Sequence, residues 1–386
     1  MNERIAIIGA GIGGLTLAAA LQRTGHRVKI FEKAPKLGEV GSGVGLWSNA
    51  IACLNTIGIE ETFWKKFGCE VHSAEIAEPG GKVLSRCDVR PLTEKIGHGA
   101  YVVHRADLHR ALLGKVDPDS ISTGLSCTGL NQQKDGKVRL DLSDGLERRF
   151  DMVIGCDGLH SAVRASLFGR IHPVYSGQTC YRGVANLNLK ERHILREVQG
   201  RGIRCAVIPL DDERVYWWAV ESAQEGGHHA DPSVQRAHLL ALFSGWSFGL
   251  PEALEATPAE SILRNDLYDR PPLKNWSRGA VTLLGDAAHP TTPNLGQGAC
   301  MAIEDAYTLS HLLTRYEISG HREAFSAYEN LRKHRCNRIV SESRRFGWIG
   351  GWRSRAAVSL REMILAATPE ALVKRSLEKH ISWESP

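Results

Sequence analysis

The sequence lacks three features that would indicate other classes of protein. It has 386 residues and nine cysteines, but no Cys-x-x-Cys pair and no Cys/His cluster at metal-ligand spacing, which predicts free thiols and no metal site. No apolar run is long enough to span a bilayer, and no signal-peptide pattern is present. The net charge of +5 is too small to indicate a nucleic-acid partner. We therefore expect a cytoplasmic protein.

Glycine is plentiful, at 39 residues, and the first group of glycines forms a dinucleotide-binding fingerprint. An apolar strand at 4–8 leads into Gly9, Gly11 and Gly14, a helical segment follows, and the next strand ends at Glu32. The glycines allow a tight turn, a close approach to a pyrophosphate, and close packing of helix on strand. Glu32 lies where a carboxylate accepts hydrogen bonds from a ribose hydroxyl, so the pattern favours FAD or NAD over NADP at this site.

Two further segments place glycines beside the start of a helix. Residues 38–45 form a second glycine cluster, and residues 285–305 follow a short apolar strand and lead into a helix-like tail. Such loops direct backbone N–H groups and the positive end of a helix towards a ligand. Arg105 also stands at a helix start, where it would meet a phosphate or a ligand edge, or form a surface ion pair with Asp107 or Asp88.

Three sequence blocks then occur in a specific order: GAGIGG at 9–14, CDGLHSAVR at 156–164 and LLGDAAHPTTPNLGQG at 283–298. Together they resemble the single-component FAD-dependent aromatic hydroxylases, the p-hydroxybenzoate hydroxylase-like flavoprotein monooxygenases. The segments at 175–184 and 264–269, with the two-helix tail, are most similar to alkylquinolone 3-monooxygenases and their relatives.

The resemblance implies an α/β fold in which a Rossmann-like FAD-binding domain carries an inserted β-sheet substrate domain and a C-terminal helical tail. The implied boundaries are 1–72, 97–171 and 275–330 for the FAD-binding domain, 73–96 and 172–274 for the substrate domain, and 331–386 for the C-terminal helices. A second dinucleotide fingerprint is absent from the sequence. In the family that it resembles, the nicotinamide cofactor binds transiently without a Rossmann domain of its own.

The resemblance also implies which residues contact FAD, which we expect to be bound non-covalently. Asp286 is expected to bind the ribityl chain, Arg105 the flavin and Cys127 the adenine, while Asp157 links FAD and nicotinamide binding. Residues 296–298 are expected to turn N–H groups towards the flavin edge that becomes negative on reduction. The full predicted set is Gly9, Gly11, Gly13, Gly14, Glu32, Lys33, Gly45, Arg105, Cys127, Asp157, Asp286, Gly296, Gln297 and Gly298.

The implied reaction consumes NADH or NADPH and O2, and transfers one oxygen atom from a flavin C4a-hydroperoxide to an apolar aromatic or heteroaromatic substrate. Hydroxylation and epoxidation remain open. The substrate class extends to quinolone-like or alkyl- or prenyl-bearing secondary metabolites. We predict Tyr216 and Arg204 as substrate contacts on the β-sheet domain. The segment at 285–298, here called the flavin loop, is predicted to contribute His289 and Pro293.

The C-terminal region is basic, with twelve Lys or Arg against five Asp or Glu over residues 331–386. This pattern predicts either weak peripheral attraction to an anionic membrane or a helix packed over the FAD domain with a solvated basic face. Monomer and homodimer both remain open. Two alternatives to a monooxygenase are a reductase or dehydrogenase of the same fold and a protein that only holds FAD.

Overall fold

The computed structural model describes residues 4–38, 42–227 and 231–383, so part of the predicted glycine cluster, 39–41, lies outside the described residues. The strands of the described part are β1 (Ile5–Ile8), β2 (Val28–Glu32), β3 (Gly43–Leu46), β4 (Gly68–Glu70), β5 (Ser73–Ala77), β6 (Val83–Asp88), β7 (Tyr101–His104), β8 (Ile121–Thr123), β9 (Cys127–Gln132), β10 (Val138–Leu142), β11 (Glu147–Phe150), β12 (Met152–Gly155), β13 (Val174–Asn186), β14 (Ile194–Gln199), β15 (Ile203–Pro209), β16 (Arg214–Ser222), β17 (Leu263–Asp269) and β18 (Val281–Leu283).

The α-helices of the described part are α1 (Ile12–Arg23), α2 (Ser48–Thr56), α3 (Glu61–Phe67), α4 (Arg90–Ile96), α5 (Arg105–Leu113), α6 (Ala162–Phe168), α7 (Pro232–Leu242), α8 (Leu250–Ala256), α9 (Gly298–Tyr316), α10 (His321–Gly350), α11 (Arg355–Ala367) and α12 (Glu370–Ile381). Single 3-10 turns occur at Pro118–Ser120, Ala259–Ser261, Gly285–Ala287, Pro293–Leu295 and Ile318–Gly320. Within the described ranges, every helix is too short or too polar to cross a bilayer.

A parallel sheet of five strands, in the order β18-β12-β1-β2-β8, forms the first core and confirms the predicted fold class. All four residues of β1 are buried, as its run of apolar residues predicts for a strand covered on both faces. Because parallel strands end at the same edge, the chain leaves β1, β2, β12 and β18 at one side of the sheet. The glycine fingerprint, Glu32, Asp157 and the loop at 285–298 therefore meet at the carboxyl edge, where ligands bind in open α/β sheets.

A second, seven-stranded sheet has the order β17-β13-β16-β15-β14-β5-β6. The β5–β6 hairpin comes from an early part of the chain and joins through parallel pairing of β5 with β14. Side chains of β16 alternate between the two faces. Trp217 packs into a core with α7 and α8, whereas its neighbours Tyr216 and Trp218 face a large cavity.

The C-terminal region starts within a continuous helix. The predicted boundary after residue 330 falls inside α10, because no Gly or Pro interrupts the chain between 321 and 346. Helix α10 packs against α9, while α11 and α12 pack on β6, the edge strand of the second sheet. The predicted domain boundaries stay predictions.

The pairing of β5 with β14 is reinforced by a buried carboxylate, and this leads to a first prediction. Glu75 accepts from Arg196 on one oxygen and from Arg86 on the other, each at 2.7 Å, and its side chain is 1% exposed. The side chain of Arg196 is 9% exposed, whereas the side chain of Arg86 is 63% exposed. We expect Arg196→Met to lower the free energy of unfolding by about 3 kcal/mol, because it leaves a buried carboxylate poorly paired.

The matched control is Arg86→Met, which removes a solvated partner of the same carboxylate and is expected to cost at most about 1 kcal/mol. Urea unfolding followed by tryptophan fluorescence measures both. Equal destabilisation by the two substitutions would contradict the role given to Arg196.

Candidate active site

A cavity of about 560 Å³ lies between the carboxyl edge of the parallel sheet and the inner face of the seven-stranded sheet. A second cavity of about 350 Å³ adjoins it. Gly11, Ser42, Arg105 and Arg182 line both, so the two form one elongated space. One end reaches Glu32 and the other reaches helix α12.

The glycine fingerprint has the geometry of a pyrophosphate site. Gly9 has φ of +104°, and a Cβ placed on Gly14 would overlap the carbonyl oxygen of Gly9, so α1 packs directly on β1 only if Gly14 lacks a side chain. A Cβ placed on Gly11 would meet no described atom within 4 Å, because Gly11 faces the cavity. Glu32 is held by the N–H groups of Ala10 and Ala34, at 2.8 and 2.9 Å.

Asp157 is half-buried beside this edge. Its Oδ2 accepts from the N–H groups of Ala162 and Val163 at 2.7 and 3.2 Å, which caps α6, and burial raises the pKa of its carboxyl. Its Oδ1 is buried and has no hydrogen-bond partner among the described residues. Such an oxygen is costly to leave unpaired, so it indicates that a donor from a ligand completes the site.

The loop between β18 and α9 forms the floor of the cavity. Asp286 exposes its carboxylate to the cavity interior, and enclosure by the protein raises its pKa. Pro293, Gly296 and Gly298 also line the cavity, and Gly296 has φ of +61°. The side chain of Gln297, the residue before α9, makes no capping hydrogen bond, so the first N–H groups of α9 and its positive dipole are available to a ligand.

The wall opposite this loop carries the two predicted substrate contacts. Tyr216 lines the cavity and covers Gly43, where any Cβ would overlap the Tyr216 ring. Arg204 is 2% exposed, contacts the Trp218 ring with its guanidinium at 5.7 Å, and donates to the side-chain oxygen of Asn294 in the flavin loop.

Sequence reasoning missed the partner of Arg204. The Glu197 carboxylate lines the cavity from β14 and pairs with Arg204 at 3.2 Å. Its sequence signal is a charged residue next to Arg196 in a strand of mixed polarity. Such residues are common on solvated sheets, so this signal is not distinctive. Val373 and Leu377 of α12 also line the cavity, a long-range contact without a local sequence signal.

His289 is not among the residues that line the cavity, and its role as a substrate contact stays a prediction. Its side chain is buried and donates to Asp305 at 2.5 Å, because the loop turns back onto α9 at this residue. Burial alone would lower the pKa of His289, but its contacts with Cys336 and Asp305 raise it well above the usual value. His289 is therefore a buried hydrogen-bond partner of Asp305.

Six predicted FAD contacts are absent from the lining of the two cavities. Two are Gly9 and Gly14, which approach each other closely, and a third is Asp157. The other three are Lys33, Gln297 and Cys127. Lys33 is exposed, Gln297 directs its side-chain oxygen to Asn49 at 3.1 Å, and Cys127 contacts the carbonyl of Gly129 through its sulfur at 3.6 Å. Lys36, three residues after Lys33, lines the smaller cavity instead. Contacts of the three residues with a cofactor, through backbone groups, stay predictions.

The cluster around His289 also resembles a metal site by distance. Ligand atoms of His289, Asp305 and Cys336 lie within 4.8 Å of one another. However, the Arg332 guanidinium donates to Asp305 at 2.8 Å and to the Cys336 sulfur at 3.6 Å, and it would repel a metal cation. The cluster is better described as a buried ion-pair network.

The residues at the two adjoining cavities fit FAD along their whole length. The open Gly11 backbone and the N-terminus of α1 suit a pyrophosphate, and Glu32 suits a ribose. The carboxylate of Asp286 suits a hydroxyl donor of the ribityl region. The role of Asp157 in linking FAD and nicotinamide binding stays a prediction. The uncapped end of α9 suits the flavin edge that gains negative charge on reduction.

Two glycine substitutions separate folding from cofactor binding. Gly14→Ala is expected to lower the stability of the apoprotein by about 1–3 kcal/mol, because the new methyl group overlaps protein backbone. Gly11→Ala should leave apoprotein stability unchanged, since Gly11 has an ordinary φ of −74° and open space, but it should weaken FAD binding at least about tenfold. Thermal unfolding and fluorescence titration of apoprotein with FAD measure the two effects. Normal FAD affinity in Gly11→Ala would contradict this geometry.

Asp286 provides a second test of the cofactor site. Asp286→Ala removes a charged acceptor, worth about 1.5–3 kcal/mol for one hydrogen bond. The dissociation constant for FAD should therefore rise about ten- to a hundredfold. FAD retained after dialysis gives the measurement, and full retention would remove Asp286 from the cofactor site.

Comparisons with known proteins agree with this geometry. A family profile described as an FAD binding domain matches residues 3–343. The chain is 39% identical over 363 residues to aurachin C monooxygenase/isomerase of Stigmatella aurantiaca, covering 94% of this chain and 93% of that protein. It is 34% identical over 358 residues to a 3-amino-4-hydroxybenzoate 2-monooxygenase of Streptomyces platensis, covering 90% and 88%.

A crystal structure of Klebsiella pneumoniae HpxO complexed with FAD and uric acid superposes with a TM-score of 0.89 at 27% identity, covering 98% of this chain and 96% of that chain. The family match and these relatives confirm the predicted resemblance, fold and cofactors. The chain therefore belongs to the FAD binding domain family and is an FAD-dependent monooxygenase of the aromatic hydroxylase type, which uses NAD(P)H and O2.

Proposed function

We propose that this enzyme inserts one oxygen atom into an apolar aromatic or heteroaromatic ring that carries a hydrogen-bonding edge and an alkyl or prenyl chain. The observation that carries the proposal is the lining of the cavity. Polar groups are concentrated at Glu197, Arg204 and Asn294, beside the flavin loop. A ring with a polar edge is thereby fixed next to the place where FAD reacts.

The substrate wall also has a large apolar part, which continues beyond the space that one ring needs. Its residues are Ile76, Leu195, Ile208, Trp218, Val220, Phe346, Val373 and Leu377. They extend from the seven-stranded sheet to α10 and α12, which suits a chain attached to the ring. The similarity to aurachin C monooxygenase/isomerase and to a 3-amino-4-hydroxybenzoate 2-monooxygenase supports oxygen insertion by this chain.

FAD, when bound, supplies hydride transfer from the nicotinamide cofactor and the activation of O2. Glu197 Oε1 accepts from Arg204 and Gln199 at 3.2 and 2.7 Å, while Oε2 accepts no hydrogen bond from a described residue. We assign Oε2 to an N–H or O–H group of the substrate. Taking up that proton makes the ring more electron-rich, and the adjacent Arg204 guanidinium orients the substrate oxygen.

Exclusion of water is the other contribution of the protein. The apolar wall and the covering Tyr216 ring keep the reacting region dry, which protects the activated oxygen from loss as H2O2. The same geometry accepts hydroxylation and epoxidation, and NADH and NADPH, so these pairs remain open.

Three other features of the protein belong to this proposal. A cytoplasmic location is supported by all nine cysteines, which are free thiols, since disulfides persist mainly in oxidising compartments. Monomer and homodimer are both compatible with the fold. A weak peripheral membrane attraction of the basic C-terminal region is supported by its charge, and its physical basis is developed in the next subsection.

Glu197→Gln tests the proposed reaction directly. A panel of phenols, quinolones and chain-bearing heteroaromatics is scored for NAD(P)H-dependent flavin reduction and for incorporation of labelled oxygen. With the best substrate, Glu197→Gln should lower the rate of oxygen insertion by at least about a hundredfold, the usual effect of losing a general base, while FAD content is unchanged.

Glu221→Gln is the control for this change. Glu221 lies on β16, two strands away from β14, and pairs with Tyr181 and His238 outside the cavity. Oxygen insertion at the parental rate in Glu197→Gln would remove the base from the proposal. NAD(P)H oxidation without labelled product across the whole panel would contradict oxygen insertion into this class of ring.

Tyr216→Phe tests the positioning of the substrate. If the hydroxyl group orients the ring, product formed per NAD(P)H consumed should fall and H2O2 should rise, with FAD content unchanged. Oxygen-electrode measurements with and without catalase give the coupling. Equal coupling in the parent and the variant would limit Tyr216 to its packing on Gly43.

A further inference from the structure

Helix α11 carries an apolar stripe that faces outward. Leu360, Met363 and Ile364 are 46%, 62% and 53% exposed, and Ala356 and Ala367 extend the row at the spacing of one helix face. A surface helix of a globular protein normally turns this face to the core, and here no described residue covers it.

The outward direction of the stripe is fixed by the opposite face of α11. Val358 and Arg361 are buried there, and Arg361 is 3% exposed. Its guanidinium donates to the carbonyl oxygens of Gly200 at 2.9 Å and Gly350 at 3.3 Å, which ties α11 to the seven-stranded sheet and to the end of α10. The helix cannot turn the stripe inward without leaving a buried guanidinium unpaired.

The stripe adjoins the cavity that holds the substrate. Two residues join α11 to α12, where Leu372 is 56% exposed and the next residue, Val373, lines the cavity together with Leu377. Both helices pack on β6, whose Ser85 and Cys87 line the cavity from the other side. An apolar surface thus runs from the exposed stripe to the edge of the cavity.

Basic side chains border this surface. Arg355 begins α11, and the exposed Arg375 lies on α12, whereas Glu362 is the single acidic residue of α11. The region from 331 onwards has twelve basic and five acidic residues. Apolar residues with a basic border are the composition of helices that lie in the interface of an anionic bilayer.

We propose that α11 docks in the interfacial region of an anionic lipid bilayer through Leu360, Met363 and Ile364, and thereby places the α12 edge of the cavity at the lipid surface. A second copy of the chain fits less well, since a two-fold contact would bring two basic borders together. This last step rests on the proposed function: a substrate dissolved in the lipid would enter the cavity without passing through bulk water.

Vesicle flotation tests the docking without requiring turnover. The holoenzyme is mixed with phosphatidylcholine vesicles with and without phosphatidylglycerol, at low and high salt. The parent should float with the anionic vesicles at low salt and lose most of the binding at high salt, because salt screens the basic border. The variant carrying Leu360→Ser, Met363→Ser and Ile364→Ser should bind at least tenfold less, with unchanged FAD content.

The matched control carries Leu146→Ser and Val234→Ser, two apolar residues of similar exposure, 60% and 51%, outside the C-terminal region. It should float as the parent does. Absence of flotation of the parent, or equal flotation of the triple variant, would overturn the proposal. Sedimentation equilibrium that shows a dimer in the parent and a monomer in the triple variant would assign the stripe to a second copy instead. Because no readout depends on a substrate, failure here is distinguishable from failure of the proposed reaction.

Discussion

The buried carboxylate of Asp305 is the interaction on which the cofactor site depends. It lies on α9 and accepts from the Gly285 N–H at 3.0 Å, from His289 at 2.5 Å and from Arg332 at 2.8 Å. These contacts hold its pKa below the usual value despite complete burial. One side chain therefore fixes the loop after β18, the helix that follows it and the long helix α10 relative to one another.

This arrangement explains why charged groups are tolerated below an apolar cavity. A buried carboxylate is costly unless it is paired, and removing one partner leaves the remaining charge uncompensated. With His289 and Arg332 both engaged, Asp305 holds Gly285 in place, and the adjacent Asp286 is the acid left facing the cavity. Asn294 fixes the other end of the loop by donating to the carbonyl of Ser343 on α10 at 2.8 Å.

Local patterns of the sequence predict well the first strands and helices, and the residues at the carboxyl edge of the parallel sheet. The glycines of the fingerprint, the acid at Glu32 and the strand before Asp286 each follow from turn chemistry and strand periodicity within about 30 residues, the length of one βαβ unit. The direction of the His289 side chain does not follow from such local patterns. Its direction depends on Asp305 and Cys336, which reach it from two other helices, and no property of the loop sequence specifies those contacts.

The same limit applies to the substrate wall. Trp217 and Trp218 are chemically identical neighbours, yet one joins the core with α7 and α8 and the other lines the cavity. A shift of the β16 register by one residue would exchange them, and with them the side chains that β16 presents to the cavity. Register is set by the pairing of β16 with β13 and β15, and by Gly183, where a Cβ would lie 2.7 Å from the Trp217 ring. Substrate selection is therefore decided by strand pairing across the sheet, while cofactor selection is decided within a short stretch of chain.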